Sequence, residues 1–197
     1  MKRRVEGKKG FIIIGILILL IVGYYYYLSN RQTQPQEEVT VSKVQDLLLR
    51  DLERNYPPSP KEVVKYYFEI TKCLYTEKLS NEDVEALAFK LEEIFDEELR
   101  AHQVKEEYLL NLKSEIAAFQ ESKSLILNYS TSSSTDVDYF TEDGYEFARL
   151  YGTFYLQVQK NLRSLENVFL LRKDENGHWK IYGWEQVEEQ ETQENPE

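Results

Sequence analysis

The sequence predicts an α+β domain that follows a single membrane anchor, and three observations lead to this prediction. Apolar residues recur at the spacing of amphipathic helices from residue 41 to about residue 120. From Ser124 onward they alternate with a period of two, which is typical of strands. One continuous apolar run, residues 11–28, follows a basic head near the N-terminus. Helices followed by strands favour helices packed on an antiparallel sheet.

The apolar run is at the short end of the length that crosses a bilayer as a helix. Its last part would form an aromatic ring at one membrane interface, made of Tyr24, Tyr25, Tyr26 and Tyr27. Five bases and one acid lie in residues 1–10, so the positive-inside rule predicts a cytoplasmic N-terminus and an extracytoplasmic C-terminal domain. A cleaved signal peptide shares this pattern. Because no small residues alternate after the run and no cysteine is near it, we expect an uncleaved anchor in the lipid bilayer.

Composition and helix signals divide the chain further. We predict a cytoplasmic head (1–10), the anchor (11–28), a polar linker (29–39), a juxtamembrane helix (40–56), an extracytoplasmic domain (57–188) and a disordered acidic tail (189–197). Ser59 followed by Pro60 starts a helix that runs to about Tyr75. Ser80 starts a second helix in the same way, with an apolar stripe that reaches Leu99, and a third helix covers about 104–120.

The strands that follow have equally local signals. We predict strands at 124–130, at 145–159 with a bulge or bend at Gly152, at 165–173 and at 179–188. Asn176-Gly177 is a strong two-residue hairpin turn. Such a turn would pair Phe169 with Trp184 and Leu171 with Tyr182.

Charge and cysteine content limit the function classes. Residues 11–197 hold 19 Lys and Arg against 34 Asp and Glu, a net charge of −15, which disfavours nucleic acid and anionic lipid surfaces as partners. Cys73, the single cysteine, cannot form an internal disulfide, and its spacing among apolar residues predicts a buried thiol. An exported domain without disulfides fits a bacterial envelope.

The segment from Val168 to Trp184, with Asn176-Gly177-His178-Trp179 at its turn, resembles the closing hairpin of nuclear transport factor 2-like domains. The order of elements agrees over residues 60–188. The resemblance implies helices packed into the mouth of a strongly curved sheet, which together form a cone. The whole chain also resembles an uncharacterised family of single-anchor bacterial membrane proteins, on the segments 51–57, 62–67 and 130–134. Neither resemblance implies an activity, because the cone fold includes enzymes, binding modules and adaptors.

No residue pattern predicts catalysis. Enzymes that resemble this fold use an Asp or His inside the cone. Here His178 lies in the hairpin turn and His102 at a helix end, where a structural role is favoured. Asp136, Asp138 and Asp143 surround an aromatic strand, and acids in such a segment are usually solvated. We therefore predict no catalytic residue, no metal site and no cofactor.

An aromatic face of the sheet is the candidate binding site. Along the 145–159 strand, aliphatic residues alternate with Tyr145, Phe147, Tyr151 and Tyr155. The hairpin pairing adds Phe169, Tyr182 and Trp184 to the candidate set, and places Val168, Leu170, Trp179, Ile181 and Val187 on the opposite face. Helices can cover only one of two apolar faces. The juxtamembrane helix or loops would cover the other, or it would bind a protein partner or a second copy of the chain.

The sequence thus favours a membrane-anchored domain that serves binding or assembly in the bacterial envelope. The alternative is a small-molecule-binding protein, or a lyase-like or isomerase-like enzyme that uses the cone cavity. A stalked spacer or sensor domain is disfavoured, since ten cytoplasmic residues are too few to signal alone.

Overall fold

The computed structural model describes residues 42–102 and 104–187. These residues form five α-helices and five strands. The helices are α1 (Lys43–Leu49), α2 (Pro60–Thr76), α3 (Asn81–Glu92), α4 (Glu97–Ala101) and α5 (Lys105–Glu121). The strands are β1 (Ser124–Thr131), β2 (Asp138–Glu142), β3 (Tyr145–Val158), β4 (Asn161–Lys173) and β5 (Trp179–Gln186).

All strand pairs are antiparallel, in the order β1-β3-β4-β5, and β2 pairs with the opposite end of β3 from β1. Helix α2 packs on one face of this sheet, where its Val63, Val64, Phe68 and Ile70 are fully buried. The α+β class with helices on an antiparallel sheet is therefore confirmed.

The helix starts follow their sequence signals. The Ser59 side chain accepts a hydrogen bond from the Glu62 amide, and Pro60 occupies the first turn of α2. Ser80 and Asp83 form a reciprocal capping box at the start of α3.

The helix predicted to reach Leu99 ends instead at Glu92. The next residues run beside β5, where the Ile181 amide donates to the Ile94 carbonyl at 2.9 Å and the Asp96 amide donates to the Ile181 carbonyl at 2.8 Å. Tertiary pairing with a distant strand thus replaces helical hydrogen bonds that the local sequence would permit.

The sequence predicted a bulge or bend at Gly152, and no bulge in β3 is present there. The β3–β4 register runs without a shift from Phe147 to Val158, and the irregularity lies in β1 between Ile126 and Asn128. Glycine is needed at 152 because the Phe68 ring lies against the backbone there: a Cβ would stand 2.5 Å from its Cε2 atom.

The last hairpin has a longer loop than the predicted turn. Lys173 pairs with Trp179, and the Asp174 amide donates to the His178 carbonyl, which leaves three residues in the loop. Leu171 consequently pairs with Ile181 and not with Tyr182. A bulge at Tyr182 then restores the predicted register, so that Phe169 does pair with Trp184.

No helix within the described ranges combines the length and the apolar character that a membrane crossing requires. The anchor predicted at 11–28, its four tyrosines, the linker and the tail predicted at 189–197 all lie outside the described residues.

Candidate functional site

The side of the sheet opposite α2 carries a row of tyrosines on β3. Tyr145, Tyr151 and Tyr155 share this side because their positions differ by even numbers along a strand without a register shift. Their side chains are 52%, 48% and 43% exposed, while Ala148 and Leu150 on the other side of β3 are fully buried. We call this surface the outer face and define it by a residue set: Phe140, Tyr145, Phe147, Arg149, Tyr151, Tyr155, Val168, Leu170 and Tyr182.

Neighbouring strands extend the aromatic surface at one end of the outer face. The ring of Phe140 on β2 stacks on Phe147, with 5.5 Å between centroids. Tyr182 meets the edge of Phe147 at 5.8 Å, because the bulge in β5 turns its side chain to the same side. Val168 and Leu170 of β4 pair with Tyr151 and Arg149 and are half-buried between them.

Two of the predicted site residues do not lie on the outer face. Phe169 pairs with Leu150 and is fully buried against α2, where its ring is 5.4 Å from Tyr67. Trp184 pairs with Phe169 and lies on the same inner side, with its ring 5.3 Å from Tyr67. It is nevertheless 40% exposed at the sheet margin.

Other residues lie on the outer face in place of these two. Val168 and Leu170, which the sequence pattern assigned to the opposite face, lie on the outer face. Phe140 belongs to it too, although the sequence pattern did not single it out. The alternation within each strand was visible in the sequence, but the register between β3 and β4 was not, and a shift of one residue moves every side chain to the other side.

A cluster of charged side chains lies at one end of the outer face. The Arg172 guanidinium donates to both carboxylate oxygens of Asp96, at 2.6 and 3.0 Å, and to Glu98 at 2.7 Å. It lies 4.9 Å from the ring centroids of both Tyr145 and Tyr182. These paired charges stabilise the junction of α4 with the sheet, and the aromatic side chains around them are held in place.

Hydrogen bonds to Glu98 explain the acid–base behaviour of this cluster. Arg172 and the Tyr182 hydroxyl both donate to the Glu98 carboxylate, which lowers the pKa of Glu98 below its usual range. The same bond raises the pKa of Tyr182. Both pKa shifts therefore arise from hydrogen bonds in which Arg172 and the Tyr182 hydroxyl are the donors and the Glu98 carboxylate is the acceptor.

Negative charge is unevenly distributed over the described domain. Residues 42–121, which contain the helices, carry 11 Lys and Arg against 18 Asp and Glu. Residues 122–187, which contain the strands, carry seven against nine. On the outer face, Arg149 pairs with Asp138 at 2.8 Å. The sheet side is therefore nearly neutral, whereas the helical side is acidic.

The interior between sheet and helices is filled by aromatic and aliphatic side chains. Phe68 contacts Phe154 edge-on at 4.3 Å and lies near Tyr129 and Phe169, both at 5.5 Å. Burial raises the pKa of the Tyr67 hydroxyl in this layer. A polar cleft of about 650 Å³ lies outside this layer, near Asp96 and Lys173.

The other residues considered for chemistry have structural surroundings. His102 is the C-terminal cap of α4, and its Nδ1 is 2.7 Å from the Glu98 carbonyl oxygen. His178 stacks on Tyr56 at 4.3 Å. Cys73 is buried, and burial raises its pKa to about 11. Within residues 42–102 and 104–187, no three His, Cys, Asp or Glu side chains converge as metal ligands would.

Comparisons with known proteins give a family but no activity. No curated protein matches the chain. A solved structure with some similarity is the NMR solution structure of TraH from the Gram-positive conjugative plasmid pIP501. It is 15% identical, covers 68% of this chain and 97% of its own, and has a TM-score of 0.34. A family model described as a domain of unknown function, DUF6715, matches residues 1–184, and the chain therefore belongs to the DUF6715 family.

Proposed function

We propose that this chain is a single-pass protein of the bacterial cell membrane whose extracytoplasmic domain binds a protein partner through the outer face. The role is binding or assembly in the envelope, without catalysis. One observation carries the proposal: Tyr145, Tyr151 and Tyr155 remain half-exposed in a row on a sheet face that no described element covers.

The composition of the outer face suits protein recognition. Tyrosine is enriched at protein interfaces because it offers a large rigid apolar area and a hydroxyl that can find a partner. Val168 and Leu170 supply aliphatic surface between the rings, and Arg149 is already neutralised by Asp138. A partner that binds the outer face therefore buries apolar area without leaving a buried charge unpaired.

Electrostatics favour the same face. An acidic partner, including a second copy of the chain, is repelled by the helical side, where acids exceed bases by seven over residues 42–121. Approach to the nearly neutral sheet side carries the smallest penalty.

The nuclear transport factor 2-like cone remains the finer fold assignment that we propose. Its support is the order of helices and strands, together with the packing of Phe68 of α2 against Phe154 of β3 and Phe169 of β4, strands of 14 and 13 residues. The alternative of a ligand-binding or catalytic cone has less support, because Phe68, Phe154 and Phe169 occupy the space that a ligand would take.

The test replaces Tyr151 and Tyr155 together by Ser in the full chain. Both side chains are exposed, so we expect the fold to persist while assembly is weakened. Sedimentation measures self-association, and co-purification after cross-linking in membranes measures partner capture. Tyr139→Ser is the matched control, because Tyr139 is 56% exposed but lies beside Trp179 on the inner side of the sheet. Assembly that is unchanged by the double substitution would contradict the proposal.

A further inference from the structure

The side chains of the outer face are arranged symmetrically about Tyr151 on β3 and Val168 on β4, which we call the central pair. Phe147 and Tyr155 each lie four residues from Tyr151, on the same side of the sheet. The Phe147 ring stacks on a ring of β2, and the Tyr155 hydroxyl is 3.2 Å from Oγ of Ser130 on β1. Because β1 and β2 pair with the same edge of β3, both aromatic groups lie toward that edge. A second copy, rotated by 180° about an axis that crosses the strands at the central pair, would therefore place Tyr155 of each copy against Phe147 of the other.

The charges near the central pair have opposite signs on its two sides. Arg149 lies two residues before Tyr151, and Glu166 lies two residues before Val168. Because β3 and β4 are antiparallel, the base is on one side of the pair and the exposed acid on the other. The same rotation brings Arg149 of each copy within reach of Glu166 of the other. The guanidinium has five N–H donors, so it can bind this second carboxylate and keep its exposed pair with Asp138.

The size of the outer face fits an interface between two copies. From Tyr145 to Tyr155 it is about 33 Å long, at about 3.3 Å per residue. It spans four strands that are about 4.8 Å apart, which gives a projected area of roughly 600 Å². Side-chain relief adds to this area, and an interface of standard size buries about 800 Å² on each partner.

Net charge favours the same arrangement of two copies. Acids exceed bases by seven over residues 42–121, which contain the helices, but only by two over residues 122–187. Sheets that pack face to face are about 10 Å apart, and the helices of each copy lie behind its own sheet. The two acidic layers are then separated by more than the Debye length, which is about 8 Å at physiological ionic strength. Contact through the helices would bring the same acids together.

We propose that the partner of the outer face is a second copy of this chain, in a two-fold symmetric dimer whose sheets pack face to face with the central pair on the axis. Sheets that pack in this way keep their strand directions within about 30° of each other. The inference rests on the proposed function, because it uses the same face. It adds the identity of the partner and the register of the contact.

Charge reversal in the full chain tests the register. Arg149→Glu places two acids against each other in a dimer of that variant, and Glu166→Arg places two bases against each other. Each substitution should weaken self-association in sedimentation of the detergent-solubilised chain by about tenfold or more. A mixture of the two variants should recover the association of the parent, because the reversed charges then face each other and the native charges do likewise. Glu175→Arg, the same charge change in the exposed hairpin loop, is the control and should have no effect.

Glu185 supplies a further test of the axis. It pairs with Val168 and is exposed at the margin of the same face, so the rotation places it near its own copy. Glu185→Gln should therefore strengthen the dimer, as like charges at the margin repel each other.

Cross-linking through a single introduced cysteine locates the axis directly. A residue on a two-fold axis meets its own copy, so Val168→Cys should be joined to a second chain by a short bismaleimide. Tyr145→Cys is the control, because the two copies of residue 145 would be about 40 Å apart. The native Cys73 is 1% exposed and should not react.

The outcomes separate this inference from the proposed function. A mixture of the reversed variants that does not recover association, or equal cross-linking at residues 168 and 145, would overturn the dimer. A monomeric chain with a photo-adduct at Tyr151 in cells, of a mass other than that of two chains, would overturn the dimer and leave the proposed function standing. The absence of any adduct at Tyr151 would overturn both.

Discussion

The close contact between Phe68 and Gly152 predicts that a side chain at residue 152 destabilises the domain. Replacing Gly152 by Ala adds a Cβ atom that would stand 2.5 and 2.6 Å from Cε2 and Cζ of Phe68 and 3.3 Å from Cε2 of Phe169. Carbon atoms in contact are normally about 3.5–4.0 Å apart. The Phe68 ring must therefore move by about 1 Å, in a layer where it already contacts Phe154 and Tyr129.

Overpacking of this kind costs about 1–3 kcal/mol. The greater chain entropy of glycine in the unfolded state offsets about 0.5–1 kcal/mol of that cost. We expect Gly152→Ala to lower the free energy of unfolding by about 1.3 kcal/mol near the melting temperature, once the offset is subtracted. For a domain of this size, this corresponds to a drop in Tm of about 3–5 °C.

Thermal unfolding of residues 42–197, followed by circular dichroism, measures the effect. Gly183→Ala is the matched control on β5, since a Cβ at 183 meets no heavy atom within 4 Å, and its Tm should stay within about 2 °C of the parent. Phe68→Leu should relieve the clash, so the cost of Gly152→Ala should shrink in that background. A Gly152→Ala variant that is as stable as the parent, or whose loss of stability is independent of the residue at 68, would contradict a steric conflict between residues 152 and 68.

Three further predictions follow from local chemistry. Glu98→Gln should destabilise the domain at neutral pH, because Arg172 lowers the pKa of Glu98 in the folded state. The stability that the Glu98 carboxylate contributes is present above about pH 4.3 and is lost as pH falls through the lowered pKa. An equal decrease in Tm at pH 7 and at pH 2 would contradict this assignment. Cys73 should react with a thiol reagent much more slowly in the folded chain than in urea, as it is 1% exposed and has a raised pKa, and fast labelling of the native chain would refute its burial. Ser59→Ala should cost about 1 kcal/mol in urea unfolding through loss of the cap on α2, and Ser59→Thr should restore most of it.

The parts of the fold that the sequence predicted depend on interactions between near neighbours. Ser59 and Ser80 cap helices through amides three residues away, and the alternation along β3 lies within one strand. Such features need no knowledge of distant partners. The α+β class could be predicted from such local features, because the apolar periodicity of a helix or of a strand is a property of that element alone.

The features that differ depend on contacts between distant residues. Gly152 was interpreted as a bulge or bend of the strand, but glycine is required there by the ring of Phe68, which lies on a helix 84 positions earlier. Asn176-Gly177 indicated a hairpin correctly, while the three-residue loop and the bulge at Tyr182 decide its register. Phe169 was assigned to the candidate face because the register between β3 and β4 could not be read from the sequence; it pairs with Leu150 and is buried against α2.

The most direct test of the central claim is site-specific photo-cross-linking in living cells. A photoreactive phenylalanine analogue at Tyr151 should give a discrete protein adduct, because the outer face would lie against its partner. The same analogue at Leu110, which is 69% exposed on the acidic helix α5, is the control and should give none. An adduct at residue 151 and none at residue 110 is the expected result. Adducts at neither position, or equally at both, would contradict a docking surface on the outer face.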